Sequence, residues 1–500
     1  WGVTVAVHHD EDDARAELLA MWPGLHNEAY GIACDIGSTT IAMHLVSLLS
    51  GRVVASAGAS NPQIRFGEDL MSRVSYVMMN PDGREAMTSA VREAVNGLID
   101  KVCAEGGISA DDILDAVFVA NPVMHHLFLG IDPTELGQAP FALAVSGAVR
   151  TSTAELGLKA NDGARVYLLP CIAGHVGADA AAATLSEGPH RQDAMMLLVD
   201  VGTNAEIVLG NRARTVAASS PTGPAFEGAE ISSGQRAAPG AIERVRIDPE
   251  TLEPRFRIIG SDKWSDEDGF AEDAARLGIT GICGSAIIEV VAEMYLCGII
   301  SEDGVVDGAL AARSSRIVAN RRTFSYLLHD GEPRIGVTQN DVRAIQLAKA
   351  ALYAGIKLLM EKQGVAQVDA IRFAGAFGSF IDPKYAMVLG LIPDCDLDAV
   401  KAVGNAAGTG ATMALLNRDH RREIEETVTR IEKIETALEP HFQQLFVDAM
   451  ALPNKVDPFP RLAKEVKLPP RKAADGDSQA GEAGPRRRSR EERMARRRRE

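Results

Sequence analysis

Aromatic side chains are scarce, 5% of a 500-residue chain that holds 46 glycines. A core built around stacked rings is excluded, and Ala, Val, Ile and Leu must fill it. Cysteine is scarce as well. Cys34, Cys103, Cys171, Cys283, Cys297 and Cys395 form no C-x-x-C pair, which excludes a zinc-ribbon or iron–sulfur spacing within this chain. They read as scattered, reduced thiols of a cytoplasmic protein. No uninterrupted apolar run reaches the roughly 18 residues of a membrane span. Gly281–Ile300 comes nearest and is broken by Glu289 and Glu293 at helical spacing, so no membrane partner is expected. A basic, apolar leader is missing too. The chain opens on Trp1, and a longer parent chain is expected.

Most of the chain also lacks positive charge. The formal net charge is −16, yet residues 461–500 carry 14 Lys/Arg against 7 Asp/Glu. An acidic body therefore ends in a basic tail. The body's field repels phosphate backbones, so nucleic acid is not an expected partner. The tail, with Arg486–Arg488 and Arg496–Arg499, reads as a disordered appendage. The length corresponds to two to four domains at about 100–200 residues each.

What is present is a repeat. Gly31–Cys34 is an apolar run ending at Asp35-Ile36-Gly37-Ser38-Thr39-Thr40, followed by β-rich stretches at Ile41–Leu49 and Val53–Ala57. The arrangement returns 165 residues later. Met195–Val199 ends at Asp200-Val201-Gly202-Thr203-Asn204, followed by Ala205–Leu209 and Thr215–Ala218. A period this long does not suit a solenoid and predicts two similar α/β lobes. Helices are predicted at 85–103, 174–185, 285–296, 338–360 and 404–416, with Thr338-Gln339-Asn340-Asp341 as an N-terminal cap. Strands are predicted at 116–120 and 371–374. A charged helix is expected from Arg418 to about Leu438. The segment from Pro453 reads as Pro-rich, then low-complexity, and is expected to be disordered. The expected division is a linker remnant or lead-in element at 1–29, lobe I at 30–188, lobe II at 189–418, a helical extension at 419–460 and the tail at 461–500.

The repeated turn has a mechanical reading. Its glycine permits close backbone approach, and the following N–H groups and hydroxyls suit phosphate oxygens. An aspartate at the strand end suits Mg²⁺ held through its water shell. One such turn is common by chance. Two, in matched settings, point to a cleft that would grip a nucleoside triphosphate's phosphates from both sides. Asp35 and Asp200 are then the catalytic and metal candidates. Gly37, Ser38, Thr39, Thr40, Gly202, Thr203 and Asn204 are the phosphate-binding candidates.

These residues resemble the actin, sugar-kinase and heat-shock-type ATPase superfamily over roughly 30–418. Asp35–Thr40 looks like its first phosphate motif and Asp200–Asn204 its second. Gly174–Leu185 and Gly404–Leu416 look like its connecting helices. Phe373–Ser379 looks like its adenosine motif, which makes Gly375, Ala376, Phe377 and Gly378 nucleoside candidates. That turn is less glycine-rich than the usual form. The resemblance implies two actin-like, ribonuclease H-like lobes around a nucleotide cleft.

A narrower set resembles the reductive activators of corrinoid proteins. It comprises Asn61-Pro62-Gln63 with Gly67-Glu68-Asp69 and Ser72-Arg73, Asn121 to His126, Gly223 to Gly228, Arg236 to Ile242, Gly281 to Ser285, and Ile381-Asp382-Pro383. That family implies an ATPase that drives an electron onto Co(II) of a corrinoid methyl-transfer protein. It also implies a [2Fe–2S] domain, which must lie upstream of Trp1 unless this member has none. A corrinoid protein is the implied partner; a homodimer is left open. A small-molecule kinase of the same superfamily is the alternative, and a nucleotide-switched binding module the third reading.

Other residues are weaker signals. Gly284 and Ser285 read equally as a helix cap or as a helix N-terminus facing the nucleotide. Glu227, Glu230 and Asp179 are candidates to position water or act as a base. His125-His126 reads as packing or surface histidines, because adjacent side chains diverge.

Overall fold

The computed structural model describes residues 2–9 and 16–470; Trp1, residues 10–15 and residues 471–500, with their arginine clusters, lie outside the described residues. Residues 1–467 form one compact unit.

Two six-stranded sheets organise that unit. The first runs Val53–Ser60, Thr40–Ser47, Tyr30–Ile36, Ile113–Ala120, Arg165–Leu168, Val149–Ser152 in spatial order. The second runs Thr215–Pro221, Asn204–Gly210, Met196–Asp200, Ala370–Ala374, Val400–Gly404, with Glu432–Lys433 beyond Thr215–Pro221. Each is an antiparallel three-stranded meander whose first strand pairs in parallel with later strands. The internal repeat is thus a repeat of topology. Asp35 and Asp200 stand at equivalent places, near the carboxyl ends of the two central strands. The near-continuous apolar character of these strands follows from burial on both faces.

Each meander is covered by a long helix. Gly83–Gly106 packs Met87, Val91, Val95, Leu98 and Val102 into the first core. Gln339–Gln363 covers the second meander, and its Thr338–Asp341 capping box is formed in full. Between Pro221 and Gln339 the second lobe carries an insertion with two three-stranded sheets and the helix Gly284–Leu296.

The small-residue helices Ala178–Glu187 and Ala406–Leu416 lie against each other. A Cβ at Gly410 would overlap the Ala182 carbonyl, so only glycine permits this approach. Ala407, Ala411, Ala414 and Leu415 share a core with Ala33, Val117 and Val119 of the first sheet. The chain therefore returns to the first lobe after 404, which the division at 418 did not foresee.

Two further expectations are corrected. The charged helix ends at Val428, not near Leu438, because Glu432–Lys433 pairs in parallel with Val216–Ala217 and Ile431 and Ile434 are buried there. The segment from Pro453 is folded through Leu462. Lys349, fully buried, donates to the carbonyls of Ala451 and Pro453, and Tyr353 donates to Asp457 at 2.8 Å. Leu462 is buried, so the packed chain extends past 461. A lysine whose burial pushes its pKa well down is matched here by carbonyls, not by a carboxylate.

Candidate active site

The first turn is built by a hairpin. Gly37 N–H donates to the Thr40 carbonyl at 3.0 Å, and Thr40 begins the next strand. Asn61 Nδ2 donates to the Gly37 carbonyl at 2.9 Å and Arg73 to the Ser38 carbonyl at 2.6 Å. Asn61 N–H donates to the Thr39 carbonyl at 2.8 Å. The second turn is held differently. Thr222 Oγ1 donates to the carbonyls of Gly202 at 2.7 Å and Thr203 at 3.1 Å, and Gly223 N–H donates to Thr203 at 2.9 Å. Thr203 Oγ1 donates to Glu227 at 3.0 Å, and Asn204 starts the following strand.

Four carboxyl groups gather between the turns: Asp35, Asp200, Asp179 in the first turn of helix 178–187, and Glu206, which stands opposite Asp200 in the ladder. Burial pushes Asp35 up to about 8, with Asp179 and Asp200 adding to the shift and an Asn405 hydrogen bond opposing it. Burial and Asp179 push Asp200 up to about 7. Asp179 and Glu206 are also raised, chiefly by burial, and Glu206 further by Asp179 and Asp200. Among the described residues none of the four pairs with a lysine or arginine.

The donor set is all carboxyl oxygen, which suits Mg²⁺ once the metal displaces the protons. Among the described residues no three acidic, His or Cys side chains converge on one point. Asp35 and Asp200 are the groups that would hold such an ion.

Gly375 belongs to this site. Its φ is +85°, and a Cβ there would overlap Asp200 Oδ1, so the strand-to-turn step demands glycine. Gly375–Gly378 makes one short helical turn; the side chains of Ala376 and Phe377 lie outside the described set. Gly284 and Ser285 open the helix Gly284–Leu296 and, among the described residues, make no hydrogen bond to either turn. Cys283 takes the cap position, without a side-chain cap bond, and Ser285 donates to the Glu243 carbonyl at 3.3 Å. Glu230 is exposed, whereas Glu227 meets Thr203. His125 and His126 are both buried, and burial pushes His125 down to about 3, so it packs as a neutral ring.

Sequence reading missed Glu206 and Asn405. Glu206 was visible as a lone carboxylate in the apolar run Ala205–Leu209. Asn405 caps the helix Ala406–Leu416, donated to by Gly408 N–H at 2.6 Å, and meets Asp35 only through the fold.

Two lobes of one topology, with Asp-x-Gly turns at matching strand ends and crossed small-residue helices behind them, define a protein of the actin, sugar-kinase and heat-shock ATPase fold class. The comparisons narrow this. Residues 194–463 match the family described as the C-terminal domain of RACo, the ASKHA domain, and residues 30–192 the RACo middle region. The chain belongs to the RACo family, the reductive activators of corrinoid proteins. It is 34% identical over 431 residues to the corrinoid activation enzyme RamQ of Eubacterium limosum, covering 84% of this chain and 69% of that protein. It is 24% identical over 425 residues to a [Co(II) methylated amine-specific corrinoid protein] reductase of Methanosarcina barkeri, covering 80% and 73%. The solved structure of a reductive activator for corrinoid, iron–sulfur protein superposes with a TM-score of 0.78 at 33% identity, covering 90% of this chain and 70% of that one. Among the described residues no helix is long and apolar enough to cross a membrane.

Proposed function

We propose that this chain binds and hydrolyses ATP and couples it to reductive reactivation of Co(II) in a corrinoid methyl-transfer protein. The observation that carries the ATP half is the pair of braced turns flanking Asp35, Asp179, Asp200 and Glu206. Family membership and the named relatives support the corrinoid half. Gly37–Thr40 and Gly202–Asn204 bind the phosphates from opposite lobes, and Gly375–Gly378 borders the nucleoside. Asp35 and Asp200 would hold Mg²⁺, which when bound would supply charge neutralisation to the phosphates. The chain's own part is to place those phosphates between the two turns, beside the carboxyl cluster. Lobe closure about the crossed helices then changes the surface offered to the partner. The electron comes from a [2Fe–2S] domain outside this chain. The six free thiols accord with a reducing, cytoplasmic setting.

The test has two parts. In single-turnover hydrolysis, Asp200→Ala is expected to lose most of the rate; an undiminished rate refutes the site. For the partner, the full-length parent protein is mixed with a Co(II) corrinoid protein, reductant and ATP, and Co(I) is followed by absorbance. Co(I) formation that ignores ATP refutes the coupling.

A further inference from the structure

The first phosphate turn rests on a buried cation. Arg73 is fully buried, and its guanidinium donates to the carbonyls of Gly67 at 2.9 Å and Ser38 at 2.6 Å and contacts Met124 Sδ at 3.1 Å. All three partners are neutral. Burial lowers its pKa only to about 10, so it stays charged at neutral pH. A buried charge whose hydrogen-bond partners are all neutral is costly; the Asp69 carboxylate opposes the fall in its pKa, and a bound anion would offset the cost further. Asp69, four residues away, is engaged as the cap of helix Leu70–Met79, accepting from Ser72 N–H at 2.7 Å.

The same contacts decide which way the turn faces. Every carbonyl from Gly37 to Thr40 is taken: by Asn61 Nδ2, Arg73, Asn61 N–H and Gly37 N–H in order. The N–H groups of Ser38 and Thr39 donate to no described group. Peptide units with their carbonyls tied behind present their N–H ends in front, which is how a backbone nest binds an anion. Asn61 is fixed in turn, since its Oδ1 accepts from Gln63 N–H at 2.9 Å.

We propose that Asn61 and Arg73 are positioning residues for a nucleotide polyphosphate. They lock the first turn with its N–H groups outward, and Arg73 supplies the buried counter-charge beneath it. This rests on the ATP reading above. Neither residue touches the nucleotide; both act through the turn.

The experiment measures KM for ATP and the inhibition constant for ADP in the steady-state hydrolysis of R73M. Both constants are expected to rise about tenfold or more, the scale of a lost charge-assisted hydrogen bond, with kcat changed far less. Neither constant depends on the fraction of folded protein, so partial misfolding does not imitate the result. R73K keeps the charge and is expected to recover part of the affinity. An unchanged KM in R73M, or a fall in kcat alone, overturns the proposal. Should R73M not fold, N61D serves: a carboxylate beneath Gly37 is expected to raise KM, and an unchanged KM overturns the brace. Wild-type protein that binds no ATP overturns the nucleotide reading itself and the brace with it; wild type that binds ATP while both variants bind it equally well overturns the brace alone.

Discussion

The two Asp-x-Gly turns carry nearly the same residues on the same strand position, yet they are supported by different means. The first is held by a guanidinium and an amide reaching in from Arg73 and Asn61. The second is held by one hydroxyl, Thr222, and one backbone N–H, Gly223. A charged brace fixes direction and adds potential; a neutral brace fixes direction only. The repeat therefore conserves the shape of the grip and divides the electrostatics between lobes. The second turn also gives its Thr203 hydroxyl to Glu227, a carboxylate for which the first turn has no described counterpart.

The largest effects should come from the carboxyls that the repeat makes equivalent. Asp35→Asn and Asp200→Asn are each expected to slow single-turnover ATP hydrolysis by about a hundredfold or more, the scale of lost acid–base or electrostatic catalysis. A dispensable Asp35 would break the equivalence of the lobes. Next comes the difference in bracing. Thr222→Val, which removes a neutral donor, is expected to raise KM for ATP about threefold, less than R73M does. Reversal of that order would show that the second turn carries the electrostatic share.

A smaller effect lies in the response to pH. Unfolded aspartates ionise near pH 4, whereas Asp35 and Asp200 in the fold hold protons to about 8 and about 7. The folded state thus binds the extra protons. Their stabilisation is full below pH 4 and is lost as pH rises through 7 and 8. Melting of the nucleotide-free protein should fall between pH 6 and 8.5 by differential scanning fluorimetry. Asp200→Asn should flatten that fall, and Mg²⁺ with ATP should oppose it by displacing the protons. A melting point that rises with pH in this window would contradict the charge crowding. The smallest effect is expected from removal of 468–500, cut outside the compact unit. KM for ATP and melting temperature should not change, whereas a cut before Leu462 should lower the melting temperature, because that side chain is buried.

Much of this protein could be read from order along the chain. The strand–Asp–Gly–strand arrangement is local, because it depends on apolar runs, a glycine and a hydroxyl within a few residues. It located Asp35, Asp200 and both turns, and the small residues of 178–187 and 406–416 marked helices that pack closely. The extent of the C-terminal packing was not legible in the same way. A Pro-rich stretch gives no sign that Lys349, a hundred residues earlier, will need its carbonyls. Nor does a charged helix announce that it must stop at Val428 so that Glu432–Lys433 can join an edge.

The sequence by itself determined the two-lobed class, the repeated turns and the pair of aspartates, since each is encoded within one short segment. Only the tertiary structure decided what stands behind those turns. Arg73 and Ser38 are 35 residues apart and Asn405 and Asp35 are 370 apart, and no local pattern makes one the partner of the other. Burial decides it: once Arg73 is buried, its charge must find carbonyls, and one within reach is that of Ser38 in the turn.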